Sequence, residues 1–100
     1  MVLVYITCKD RKEALRISEH LLAKKLIACA NIFPIESIYR WENKIQQDKE
    51  YAALGKTIKS KFDSIIKEVQ SIHSYDLPCI SLLDSGSESR YEAWVKKEIA

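Results

Sequence analysis

Three observations predict an α+β sandwich: apolar strand-like runs near both ends of the chain, two segments of helical periodicity between strand segments, and one long β-hairpin in the middle. A chain of 100 residues is one domain, 1–100, large enough for a modest core and too short for two. Two glycines and two prolines are its only strong punctuation, so the connections are short and no linker is expected.

Val2 to Cys8 is apolar and β-branched without strict alternation, the pattern of a strand covered on both faces. Asp10 with Glu13 opens a helix in the manner of a capping box, Asp standing where Ser or Thr is usual. Ala14, Leu15, Ile17, Leu21, Leu22 and Leu26 keep helical spacing, carrying that helix to about Lys25. Ile27 to Trp41 reads as a strand, edge-like, with a bend or bulge expected at Pro34. Glu42-Asn43-Lys44 is a turn, because Asn tolerates the positive φ of tight hairpins, and the return strand runs from about Ile45 to Ile58. Ser60 with Asp63 marks a second helix start, with Phe62, Ile65, Ile66, Val69 and Ile72 on one face. Pro78 opens a strand from Cys79 to Leu83. Ser87 or Ser89 then caps a short helix carrying Tyr91, Trp94, Val95 and Ile99. The order is strand, helix, strand, strand, helix, strand and a terminal helix. That is a split βαβ arrangement, a ferredoxin-like βαββαβ sandwich with a long β-hairpin and an extra C-terminal helix.

In such a sheet both main helices cover the same face, and the other face is polar if it meets water. Here the first and last strands are apolar at both parities. In the hairpin Phe33, Ile35, Tyr39 and Trp41 share one parity, while Ile32 and Ile38 take the other. A second cover is needed, and a neighbouring subunit is the simplest one. Hairpin arms of about fifteen residues would also overhang a single domain.

Composition removes several classes of function. Sixteen basic and fourteen acidic residues intermix along the chain, leaving +2, too little for a nucleic-acid or anionic-membrane partner. Cys8, Cys29 and Cys79 are odd in number and widely spaced, so reduced thiols and a cytoplasmic location are expected. The apolar N-terminus lacks a basic leader and meets Lys9-Asp10 at once, which reads as a strand and not a signal peptide. No Gly-rich phosphate loop, Gly-x-Ser-x-Gly elbow or His-Glu-x-x-His helix is present, and nothing positions a third group beside a Cys29–His73 dyad. The expected protein is not an enzyme.

Five ordered motifs then carry a family resemblance over nearly the whole chain. Leu26-Ile27-Ala28-Cys29-Ala30-Asn31-Ile32-Phe33-Pro34, the hairpin tip Ser37 to Lys44, Glu50 with Lys56-Thr57, His73-Ser74-Tyr75-Asp76-Leu77-Pro78, and Tyr91-x-x-Trp94 resemble those of the CutA divalent-cation-tolerance family. The resemblance implies a ferredoxin-like fold, homotrimers joined sheet to sheet, similarity to PII signalling proteins, and a link to copper and other divalent cations. It implies no settled catalytic activity. Asn43 replaces the family's turn glycine and Ser74 its proline after the histidine. Ile6 and Ile72 stand where some members carry a cysteine and a second histidine, so this chain keeps one histidine of that set.

His73 is the candidate metal ligand, needing Asp76, Cys8 or Cys79 beside it or its copies around a threefold axis; the other reading is a cap on the second helix. His20, mid-helix among polar neighbours, reads as solvated. Cys29 is a soft ligand or nucleophile by chemistry, and a small core residue by setting. Together with Cys29, the residues Tyr39, Trp41, Lys44, Glu50, Lys56 and Tyr75 are candidates for an intersubunit cleft. Such a cleft would take a small anion paired by Lys56, or else Tyr39 and Trp41 anchor the trimer and Lys44 is solvated. Two functions follow. One is a trimeric, non-enzymatic protein of metal homeostasis that needs no cofactor and binds copper or another divalent cation. The other is a PII-like small-molecule sensor or trimeric scaffold using that cleft.

Overall fold

The computed structural model describes residues 1–100. Its elements are β1 (Val2–Cys8), α1 (Arg11–Ala23), β2 (Cys29–Trp41), β3 (Lys44–Thr57), a 3-10 turn (Lys59–Lys61), α2 (Phe62–Ile72), β4 (Ile80–Asp84) and α3 (Ser89–Glu98). The sheet has the order β2-β3-β1-β4 with every neighbouring pair antiparallel, the α+β topology expected.

The core follows from strand parity. Burial alternates along β1, and Val4, Ile6 and Cys8 point to the face shared with Ala53 of β3. Ala14, Ile17 and Leu21 of α1 and Ile65 and Val69 of α2 close over them. Each large aliphatic group so buried contributes about 1.5–3 kcal/mol. Ile27 presses onto the same face where β3 carries Gly55; a Cβ there would stand 3.1 Å from Ile27 Cγ2.

Local chemistry fixes the ends of the helices. Asp10 accepts from the Glu13 N–H at 2.8 Å, and Glu13 returns by accepting from Lys9 N–H at 3.0 Å, a capping box displaced by one residue. α1 ends in paired bonds, Leu26 N–H to Leu21 O at 2.9 Å and Lys25 N–H to Leu22 O at 3.0 Å. This closure places Lys25 at φ 55°, a left-handed site usually given to glycine. Three expected details are corrected. Ser60 lies in the 3-10 turn and α2 has no side-chain cap, so the Ser60/Asp63 start does not form. α3 is capped by Glu88, which accepts from Tyr91 N–H at 3.0 Å, and not by Ser87 or Ser89. At Pro34 the ladder runs unbroken from Phe33↔Ala52 through Pro34↔Tyr51 to Ile35↔Glu50. β2 is the edge strand, where a proline nitrogen can face outward and needs no bulge.

The face opposite α1 and α2 is covered in part by the chain itself. Cys29 shares a register row with Lys56 and Leu3, the parity opposite to Val4, and its Sγ lies 3.3 Å from the Tyr91 hydroxyl of α3. Val95 and Ile99 are fully buried away from the main core. Beyond α3 this face stays open. Phe33, Tyr39 and Trp41 are exposed there, Trp41 by 51%, and Leu83 on β4 by 48%. The hairpin also outruns the sheet. β1 pairs with β3 only as far as Tyr51, so the rows from Ile35↔Glu50 to Trp41↔Lys44 have no third strand. This ribbon stretches the molecule to 45 × 25 × 21 Å. It turns tightly on Glu42 and Asn43, at φ 49° and 63°.

Lys25→Gly is expected to raise the unfolding free energy by about 1 kcal/mol, because lysine carries the left-handed penalty and forms no ion pair there. Urea unfolding with an unchanged or lower midpoint would contradict this.

Candidate functional site

The segment following α2 reaches across the sheet, and it shapes the site. His73 ends α2, its N–H bonding Val69 O at 2.9 Å. Its ring is fully buried. Nε2 donates to the Thr7 carbonyl at 2.8 Å, and Nδ1 accepts from Tyr75 N–H at 3.0 Å. A carbonyl can only accept and an amide can only donate, so the ring is in the Nε2–H form with both nitrogens engaged. The ring stacks tilted on Tyr75 at 4.8 Å.

Glu13 anchors this segment from the α1 side. Its carboxylate is almost wholly buried and accepts from Lys9 N–H, from Ser74 N–H at 2.9 Å and from Arg16 at 3.3 Å. Burial pushes its pKa up, but the hydrogen bonds from Lys9 and Ser74 outweigh burial and hold it below the usual 4.5. Cys8 Sγ, a Glu13 oxygen and a His73 nitrogen lie within 4.8 Å of one another. Burial, then the nearby charges of Glu13 and Glu50, push the Cys8 thiol up to about 12, so it stays protonated. Asp76 and Cys79 do not join this group.

On the open face the same segment completes a cleft of about 710 Å3. Its walls are Glu36, Asp48 and Glu50, the aromatic rings of Tyr39, Trp41 and Tyr75, and smaller groups including Thr7 and Cys79. The Tyr75 hydroxyl donates to Glu50 Oε2 at 2.5 Å, and Tyr39 donates to Asp48. Burial, then the Glu50 hydrogen bond, raise the Tyr75 phenol; the Asp48 bond raises Tyr39. Both remain donors.

Four expected cleft residues, Tyr39, Trp41, Glu50 and Tyr75, meet here. Cys29, Lys44 and Lys56 do not line it. Cys29 sits beside Tyr91, Lys44 is exposed at the hairpin tip, and Lys56 bonds Asn31. His20 is not merely solvated, since its Nε2 lies 2.8 Å from a Glu68 carboxylate that also takes Lys24 at 3.0 Å. Glu13, Glu36 and Asp48 escaped the sequence reading. The Asp10/Glu13 cap signal pointed at Glu13 but gave it only a local role, and strand parity places Asp48 two residues from Glu50 on one face.

A four-stranded antiparallel sheet backed by two helices, with a hairpin longer than its sheet and a tyrosine–glutamate pair at the hairpin's base, defines a ferredoxin-like α+β domain with an overhanging ribbon. Residues 2–98 match the family described as CutA1 divalent ion tolerance protein, and the chain belongs to that family. The divalent-cation tolerance protein CutA of Thermotoga maritima is 39% identical over 100 residues, covering 99% of each chain. That of Archaeoglobus fulgidus is 49% identical over 77 residues, 77% of this chain and 76% of the relative. Among solved structures, the periplasmic divalent cation tolerance protein CutA from Archaeoglobus fulgidus superposes with a TM-score of 0.97 at 39% identity, covering both chains in full. CutA1 from Pyrococcus horikoshii gives 0.93 at 33% identity, over 98% of this chain and 97% of that one.

Glu13 links stability to pH. Its folded value lies below its ordinary 4.5, so its contribution is complete above 4.5 and is lost as pH falls through the folded value. Glu13→Gln should lower the unfolding free energy near neutral pH by about 1–3 kcal/mol. It should also flatten the loss of stability below pH 4.5; urea midpoints that fall as steeply in the variant would overturn this role.

Proposed function

We propose that this chain acts as a homotrimer in divalent-cation tolerance, binding such cations weakly or signalling their status without catalysing a reaction. The observation that carries the trimer is the open sheet face: Phe33, Tyr39, Trp41 and Leu83 are exposed beside a ribbon that has no third strand. Two-stranded ribbons are marginal in water, and a second copy laid against this face would cover both features. Relatives named for divalent-cation tolerance support the cation role. The non-catalytic reading is supported by the state of the candidate groups, since the Cys8 thiol and the cleft tyrosines are all held toward their protonated forms.

The one close gathering of metal-type donors is Cys8, Glu13 and His73. To use His73 a metal must displace Thr7 O or Tyr75 N–H, and to use Cys8 it must take a proton from a thiol pushed up to about 12. Weak binding follows. A second reading, a small-molecule sensor, is favoured by the aromatic-lined cleft and places the ligand between subunits.

Light scattering should give three chains per particle at micromolar concentration; a stable monomer would overturn the trimer. Calorimetric titration of copper(II) and zinc(II) into reduced protein should show weak saturable binding that is lost in His73→Ala. Equal binding in both proteins would remove His73 from the metal role.

A further inference from the structure

We propose, on the reading of Cys8, Glu13 and His73 as the cation site, that a thiophilic divalent cation competes there with Tyr75 for the His73 ring. Capture in the core then loosens the Tyr75–Glu50 contact on the open sheet face. The three donors belong to one chain and are buried inside it, so they do not depend on what covers that face.

Hydrogen bonding singles out the ligand atoms. His73 Nε2–H donates to the Thr7 carbonyl at 2.8 Å, the kind of outer partner that a metal-bound imidazole keeps on its other nitrogen. Nδ1 is therefore the nitrogen left for a cation, and it stands 3.9 Å from Glu13 Oε1. Two bonds of about 2.0–2.2 Å can span that gap through one ion. The Glu13 carboxylate divides its partners in a similar way. Oε2 accepts from Ser74 N–H and Arg16, while Oε1 accepts from Lys9 N–H and keeps a lone pair. A sulfur and an imidazole among the donors favour zinc(II)-like ions over magnesium(II) or calcium(II).

The competition follows from Nδ1. Its lone pair already accepts Tyr75 N–H at 3.0 Å, and one lone pair serves one partner. A cation on Nδ1 must turn that amide away. The same amide positions a residue whose ring stacks on His73 at 4.8 Å and whose hydroxyl donates to Glu50 Oε2 at 2.5 Å. Cation capture and the Tyr75–Glu50 contact thus draw on one segment, and each weakens the other by the same factor.

The test uses the intact, reduced protein, with zinc(II) and magnesium(II) in calorimetry and cobalt(II) in absorption. Zinc(II) should bind saturably and magnesium(II) at least about a hundredfold more weakly. Cobalt(II) should give a sulfur-to-metal charge-transfer band that Cys8→Ser removes. Tyr75→Phe deletes the bond to Glu50 and keeps the amide, so it should tighten zinc(II) by about threefold to tenfold. Zinc(II) saturation should in turn speed hydrogen exchange at the Tyr75 amide by at least about tenfold. Unaltered exchange there would overturn the competition in the unsubstituted protein, whatever the variants do. Zinc(II) affinity unchanged or weaker in Tyr75→Phe, yet lost in His73→Ala, would overturn the competition and keep the cation site. Magnesium(II) binding as tight as zinc(II), or cobalt(II) without the band, would overturn the thiophilic class. Binding of none of the three ions would overturn both the competition and the site.

Discussion

One buried carboxylate holds the two halves of this domain in register. Glu13 has no surface on which to discard its charge, so it must be met by donors from the protein. Those donors are the amide before α1, the amide after His73, and the Arg16 guanidinium, which also reaches the Ile72 carbonyl at 3.0 Å. Satisfying Glu13 therefore pulls the end of α2 onto the start of α1. Once that junction is made, His73 has only one place to put its ring, against the Thr7 carbonyl, and Tyr75 is delivered across the sheet to Glu50. The cleft is the far end of a chain of hydrogen bonds that begins in the core.

The hairpin answers to a different constraint. Its base is held by β1 and the helices, but its outer rows are held only by each other. Side chains of such a ribbon have two exposed faces, and here one is aromatic and the other includes Ile38 and Ile45, exposed by 67% and 68%. In the trimer proposed above, this apolar surface on an unsupported ribbon is what a second copy would cover.

Much of this was legible from periodicity. The order of elements, the hairpin turn at Asn43, the Asp10 cap and the doubly apolar strands each follow from a local rule with a period or a residue preference. The errors share a cause: rules about single residues were overridden by neighbours distant in sequence. Pro34 signals a bulge only if its nitrogen must face the ladder, and an edge position removes that need. Lys56 looked like an anion ligand because its charge is readable, while its pairing with Asn31 depends on a strand register that is not. Glu13 read as a cap residue because its contact with Ser74 spans 61 positions. The cover supplied by α3 to the Cys29 end of the sheet was likewise invisible, since helical spacing in Tyr91 to Ile99 says nothing about which face it will meet.

Pro34 has a consequence for the behaviour of the protein in concentrated solution. β2 is an outer strand thirteen residues long, and a strand of that length with open amides is a template for uncontrolled stacking of chains into fibrils. The ladder passes through Pro34 intact, which requires its nitrogen to face the open side, so one donor is missing from that edge about midway along. An incoming strand would have to cross a gap in its hydrogen bonds there. A single imino acid thus guards the long edge against disordered polymerisation without disturbing the pairing on its inner side.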